Sequence, residues 1–174
     1  MGAGDWEIGV WNDAIAEVKD GVLLINVLEP NTARYISHPY LTFLNAPFEL
    51  ELDMSYVSGA TDAIASIVFR LQNNGDHASL SLSDKGSVHI GMVKEGNYYS
   101  LIPWTRFHSF VRGTNHIRFI DDGARVMAYI NDELFFDIPF YDLPLGSIGL
   151  YVISYDGGEA TWAFDNIVIH QIGR

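Results

Sequence analysis

Apolar and polar positions alternate with a period of two along most of this chain. In "FELELDMSYV" (48–57), Phe48, Leu50, Leu52 and Met54 fall on one side, and Glu49, Glu51 and Asp53 on the other. The same alternation, or a short apolar run, recurs in "GVLLINVL" (21–28), "ASLSLS" (78–83), "SVHIGMV" (87–93), "NHIRFI" (115–120), "RVMAYI" (125–130), "ELFFDI" (133–138), "SIGLYVI" (147–153) and "TWAFDNIVIHQI" (161–172). A period of two puts successive side chains on opposite faces, so each segment reads as a strand with one wet face.

Turn signals separate these runs: Lys19-Asp20-Gly21, Asn73-Asn74-Gly75-Asp76, Asp84-Lys85-Gly86, Glu95-Gly96-Asn97, Asp121-Asp122-Gly123, Asn131-Asp132 and Asp156-Gly157-Gly158. Asx-Gly pairs supply the positive φ that tight hairpins need, so the strands are antiparallel neighbours. Two segments also admit a helix, "NDAIAEVKDG" and "TDAIASIVFRLQ", with Asp13 and Asp62 as N-caps. Their strand neighbours and the β-formers Ile64, Ile67, Val68 and Phe69 favour strands. About a dozen short strands in one chain predict an all-β fold, a two-sheet antiparallel β-sandwich of jelly-roll type, as a single domain over residues 1–174.

Composition narrows the partners. Hydrophobic residues at 48% and charged residues at 18% describe a folded domain. The net charge of −12 opposes binding to polyphosphates, so no nucleic acid is expected as partner. No run approaches the length of a membrane span, and no membrane insertion is expected. The absence of cysteine excludes disulfides, zinc thiolates and a thiol nucleophile. "MGAGDWEIGVW" shows no signal peptide.

The row Glu49, Glu51, Asp53 raises the question of catalysis. Paired carboxyls roughly 5–9.5 Å apart perform glycoside hydrolysis, and side chains at i and i+2 on a strand stand roughly 6.5–7 Å apart. The spacing permits the chemistry without requiring it, since acids on the wet face of a strand look the same. No serine lies in a Gly-x-Ser-x-Gly elbow. His108 and His116 lack a nearby third zinc ligand.

Six pieces in order, "DGVLLINVLEP", "FELELDMSYVSG", "SIVFRLQNNGDHASLSLSDKGSVHIGMVKEG", "NHIRFIDDGARVMAYINDELFFDI", "GSIGLYV" and "FDNIVI", resemble the concanavalin A-like (laminin G-like) jelly-roll superfamily. The resemblance is to a bacterial extracellular branch related in fold to family-sixteen glycoside hydrolases. It implies a concave sheet that carries ligand. By alternation, Phe69, Leu71, Leu80 and Leu82 then face the core, as do Val88, Ile90 and Met92. Arg70, Gln72, Ser79, Ser81 and His89 face the groove. In the hydrolases the catalytic acids alternate on the strand matching "DHASLSLS", where this chain has Ser79, Ser81 and Ser83. "FELELD" matches the preceding strand, so its acids are expected to be solvated decoration.

The resemblance further implies one structural calcium ion, held by the Asp5–Trp6 region, Gly21 and Asp165; the alternative is that Asp165 bonds neighbouring amides and needs no ion. Tyr98, Tyr99 and Trp104, in "GNYYSLIPWTRF", would flank the groove as rings for sugars to stack on. Tyr35, His38 and Tyr40 are candidates to cap it, while Trp162 reads as core and Trp6 and Trp11 as anchors of the first strand. The expectation is a non-catalytic module that binds a polysaccharide or other glycan, in an extracellular or cell-surface protein. Two rivals stay open: an adhesion domain that binds protein or self-associates, and a glycoside hydrolase or lyase using other acids.

Overall fold

The computed structural model describes residues 6–38 and 46–172. Asp5 and Tyr40 lie outside the described residues. The chain forms, in order, β1 (Gly9–Val10), β2 (Ala14–Lys19), β3 (Val22–Val27), β4 (Thr32–Ser37), β5 (Phe48–Gly59), β6 (Ile64–Leu71) and β7 (His77–Ser83). It continues with β8 (Ser87–Lys94), β9 (Asn97–Arg106), β10 (Thr114–Asp121), β11 (Arg125–Ile130), β12 (Glu133–Pro139), β13 (Ser147–Ser154) and β14 (Ala160–Gln171). Both segments that admitted a helix are strands.

These strands make two antiparallel sheets. One has eight strands in the order β1-β2-β3-β14-β5-β10-β11-β12, and the other six in the order β4-β13-β6-β7-β8-β9. The inner faces meet in one core. Leu23, Ile25, Leu50, Leu52, Ile117, Phe119, Trp162 and Phe164 come from the first sheet; Ile67, Phe69, Leu80, Leu82, Val88, Ile90, Leu150 and Val152 come from the second. Each of these is buried because its strand alternates, and its sequence neighbours carry the outer faces. Trp162 is core, as its alternation with Phe164 predicts.

Glu49, Glu51 and Asp53 occupy the outer face of the eight-stranded sheet, the sheet that does not carry the groove. Each meets a base on the adjoining β10. Arg118 Nε donates to Glu49 at 2.6 Å, and His116 Nδ1 lies 2.9 Å from Asp53. Arg118 also stands 4.0 Å from Glu51. The Arg118 hydrogen bond holds the Glu49 carboxyl below its ordinary value. The row is a surface ion-pair network with Arg118 and His116.

Strand β6 departs from simple alternation. Its pairing with β13 runs Val68↔Gly149 and then Leu71↔Ser147, so β6 holds one extra residue, and Arg70 there has φ 52°. The bulge reverses the faces beyond Phe69. Leu71, expected in the core, turns toward the groove side, and Arg70, expected in the groove, turns inward and is 2% exposed.

Inside, Arg70 Nε and Nη2 donate to the two oxygens of Asp121, each at 2.7 Å, and Nη1 donates to the Phe140 and Leu143 carbonyls at 3.1 and 2.6 Å. Gln72, also assigned to the groove, instead donates to the Arg70 and Pro144 carbonyls at 2.8 and 3.0 Å. Arg70 and Gln72 therefore fasten the 140–146 loop to the end of β6. Neither side chain lines the groove.

Candidate functional site

The outer face of the six-stranded sheet carries a groove of about 470 Å³. Its shape follows from side-chain size. The central strands β6 and β7 present Ser66, Val68, Ser79 and Ser81, while Tyr35 and Tyr151 rise on one flank and Tyr98 and Trp104 on the other. Small residues between aromatic ones make a trough.

One rung of paired residues crosses the sheet: Tyr35↔Tyr151, Tyr151↔Ser66, Ser66↔Ser81 and Ser81↔His89. Trp104 of β9 closes the rung by stacking on His89, with ring centroids 4.9 Å apart. From β4 to β9 there are five inter-strand steps, roughly 24 Å at about 4.8 Å each. The Ser66 and Ser81 hydroxyls bond each other at 2.8 Å in the floor. Each hydroxyl keeps further capacity, since a serine oxygen has one proton and two lone pairs.

His89 organises the second flank. Its Nε2 lies 2.9 Å from the Tyr98 hydroxyl and 3.1 Å from the Ser100 hydroxyl, and its ring stacks on Tyr98 as well as on Trp104. Burial lowers its pKa from the ordinary value of 6.5, which keeps the ring neutral at physiological pH. Gly91 makes room for this cluster. A Cβ there would stand 2.8 Å from His89 Cε1 and 3.0 Å from the Tyr98 ring.

Gly149 does the same for the first flank, because a Cβ on it would collide with ring atoms of Tyr35. Tyr35 thus lies flat over β13 and donates to the Ile148 carbonyl at 3.2 Å. Its phenol is pushed up to about 12 by burial and by Glu7. Burial also raises Tyr98 and Tyr151. All three phenols therefore stay protonated and able to donate.

Of the residues assigned to this face from sequence, the structure brings together Ser79, Ser81, His89, Tyr98 and Trp104. Arg70 and Gln72 lie elsewhere, as described. Tyr99 is exposed but does not line the groove, because it pairs with the core residue Met92 and so faces the opposite side of β9. Tyr35, a suspected cap, is instead part of the flank, and His38 is buried against Trp6, 5.1 Å between ring centroids. Sequence reasoning missed Tyr151, Ile153, Ser66 and Val68. The alternation in "SIGLYVI", with Leu150 and Val152 inward, already marked Tyr151 and Ile153 as facing out. Among the described residues, no Asp or Glu lines the groove.

A second pocket, of about 250 Å³, lies on the other sheet and is lined by Trp6, Gly21, Asp165 and Asn166, among others. It unites the three residues to which the resemblance assigned calcium. A register shift between Asp165 and Val168, with Asn166 at φ 51°, lets Phe164 and Ile167 both turn inward while Asp165 stays at the surface. Asp165 Oδ1 accepts the Asn166 amide at 2.7 Å, which is the ion-free role considered above. Its second carboxylate oxygen and the backbone oxygens nearby are hard donors of the kind calcium takes. The donor set fits the ion, although among the described residues no group of three or more His, Cys, Asp or Glu gathers at one place.

No family model matches this sequence, and no curated protein is a detectable match. Solved structures do match. The carbohydrate binding module CBM66 from Bacillus subtilis is similar at 20% identity and a TM-score of 0.62, over 96% of both chains. The Bacillus licheniformis β-glucanase is similar at 13% identity and a TM-score of 0.68, over 99% of this chain and 94% of that one. The Caenorhabditis elegans galectin LEC-6 is similar at 16% identity and a TM-score of 0.52, over 82% and 95%. The fold is thus a two-sheet jelly-roll sandwich of the kind these binding modules, glucanases and galectins have. At these identities the likeness establishes architecture and leaves function to the site.

Proposed function

We propose that this chain is a non-catalytic glycan-binding module of a secreted or cell-surface protein, with a polysaccharide lying across the six-stranded sheet. The observation that carries the reading is the rung from Tyr35 to Trp104. Aromatic rings on both flanks suit the apolar faces of sugar rings, and the hydroxyls of Ser66, Ser79 and Ser81 suit sugar hydroxyls between them. Carbohydrate-binding modules, glucanases and galectins among the structural neighbours support the same general direction.

What supports binding over hydrolysis is the lining of the groove. Hydrolysis by the usual route needs an acid and a base or nucleophile, both carboxyls, on either side of the scissile bond. The described residues of the groove offer serines, tyrosines and the histidines His77 and His89 instead. The reading also includes one structural calcium ion, held by Asp165 with backbone oxygens at Trp6 and Gly21. Bound there, it would tie the start of the chain to the last strand, on the sheet away from the groove, with no part in catalysis.

Electrophoresis through gels containing a panel of polysaccharides tests the reading. The native protein should be retarded by one glycan class, and Trp104→Ala and Tyr151→Ala should each weaken that retardation about tenfold, the effect of losing ~1.4 kcal/mol of ring contact. Retardation unchanged in both variants, or release of reducing ends from the retained glycan, would overturn it.

A further inference from the structure

Past Trp104 along β9, three basic side chains line a depression of about 480 Å³. Lys85 comes from the β7–β8 turn, Arg106 from the end of β9 and Arg112 from the loop before β10, with Phe107 and Phe110 as apolar lining. The register puts Arg106 on the groove face of β9, beside Trp104. Arg106 pairs with Ser87, which shares a face of β8 with His89, and Trp104 precedes Arg106 by two residues. Two residues along a strand is roughly 6.6–7 Å, a little more than one sugar ring.

The charge here is unusual for this molecule. The chain has 22 acids and 10 bases, so its bases have many acids to choose from. Arg70, Lys94, Arg118 and Arg125 each stand within 4.0 Å of a carboxylate, and Arg34 lies over the Trp11 ring at 3.3 Å. Lys85, Arg106 and Arg112 stand within ion-pair distance of no acid among the described residues, a condition they share with Lys19 and with Arg34, which has the Trp11 ring instead. Asp84 also lines the depression, and His108 on its rim is engaged by Glu133 at 2.8 Å. Lys85, Arg106, Arg112 and Asp84 together give the lining a net charge of about +2.

The loop that presents Arg112 is fixed in place. The Phe107 amide donates to the Gly86 carbonyl at 3.4 Å, and Asn115, 1% exposed, both accepts from the Val111 amide and donates to the Val111 carbonyl, each at 2.9 Å. The Phe110 ring packs over Gly86, where a Cβ would stand 3.1 Å from it. The three cations are therefore presented on a held frame beside Trp104, exposed to solvent, with Asp84 next to Lys85 as the one acid in the lining.

Resting on the groove reading above, we propose that Lys85, Arg106 and Arg112 form an anionic subsite that selects glycans bearing a negative substituent, a uronate carboxylate or a sulfate ester, next to the ring that stacks on Trp104. Guanidinium groups suit both, since carboxylate and sulfate oxygens match their paired N–H donors. The overall negative charge of the protein works against long-range capture of polyanions, so the selection acts at close range and weakens with salt.

The test uses four glycans: polygalacturonate, its carboxyl-reduced form, a sulfated galactan and its desulfated form. Each is titrated calorimetrically against the native protein, the Arg106→Gln/Arg112→Gln double variant and Trp104→Ala, at low and high salt. The expected result is that an acidic glycan binds at least about tenfold more tightly than its neutral form, and that the double variant erases the difference while binding the neutral form unchanged. Whether polygalacturonate or the sulfated galactan shows the effect identifies which anion the subsite takes.

Equal affinity for acidic and neutral forms, or an acidic glycan bound unchanged by the double variant, would overturn the subsite. The groove reading is judged separately, because Trp104→Ala should weaken both forms alike. If only the arginine variant has an effect, the subsite stands and the groove reading falls. If no glycan binds any protein, both fall. Both arginines are exposed, so an unchanged melting temperature is expected and shows that the double variant is folded.

Discussion

Replacing Arg70 by methionine should cost stability and leave glycan binding intact. Arg70 and Asp121 are 2% and 0% exposed, and Arg70 makes four hydrogen bonds, two to Asp121 and two to carbonyls of the 140–146 loop. Methionine keeps much of the volume and the contact with the Phe140 ring, but it leaves a carboxylate buried without its partner. Removing one member of such a pair costs about 3–5 kcal/mol. A loss of ~4 kcal/mol is therefore expected. For a chain of this length that lowers the melting temperature by roughly 8–16 °C. Urea denaturation followed by tryptophan fluorescence measures it. Arg70→Met/Asp121→Leu should recover a large part of the loss, because the double change also removes the stranded charge. A loss under about 1 kcal/mol, or weakened glycan binding at an unchanged melting temperature, would refute the reasoning and return Arg70 to the groove.

Four further outcomes are expected. Gly91→Ala forces a methyl group against His89 and Tyr98, and should weaken the retained glycan about tenfold while costing ~1–3 kcal/mol of stability in a thermal melt. The depressed pKa of His89 means that the unfolded chain takes up a proton more readily than the folded one. The contribution of His89 is thus complete above pH ~6.5 and is lost as pH falls through the lower folded value; His89→Gln should flatten that part of the stability profile. Chelator should lower the melting temperature of the native protein if calcium sits at Asp165, by the equivalent of ~2.7 kcal/mol when the ion is at a hundred times its Kd, and Asp165→Asn should abolish the response without touching glycan binding. Glu51→Gln should change stability by less than about 1 kcal/mol in a urea titration and leave glycan binding alone, because its charge partners are exposed on the outer sheet.

The strand pattern carried most of the fold, because a sandwich buries one face of each strand and alternation states which face. It carried the groove wherever strands stayed regular: Ser79, Ser81 and His89 faced as expected because β7 and β8 pair without a shift. It failed where the backbone broke the period. One extra residue in β6, with Arg70 in a left-handed conformation, exchanged the faces of Arg70 and Leu71, and no glycine marked the place. An arginine directly after a core phenylalanine looks the same in sequence whether it faces solvent or a buried aspartate. Tyr99 misled for a simpler reason, since of two adjacent tyrosines on a strand only one can face the groove. The contribution of β13 was legible in the alternation of "SIGLYVI", and only its position beside β6 in the sheet order had to come from the structure.

The central claim concerns which face of the sandwich takes the glycan. Backbone amide shifts recorded while an oligosaccharide of the retained class is titrated into labelled protein test it most directly. The account predicts that the moving resonances cluster at Ser66, Ser79, Ser81, His89, Tyr98, Trp104 and Tyr151, on the six-stranded sheet. Shifts centred instead on Glu49, Glu51, Asp53 and Arg118, on the outer face of the eight-stranded sheet, would contradict it.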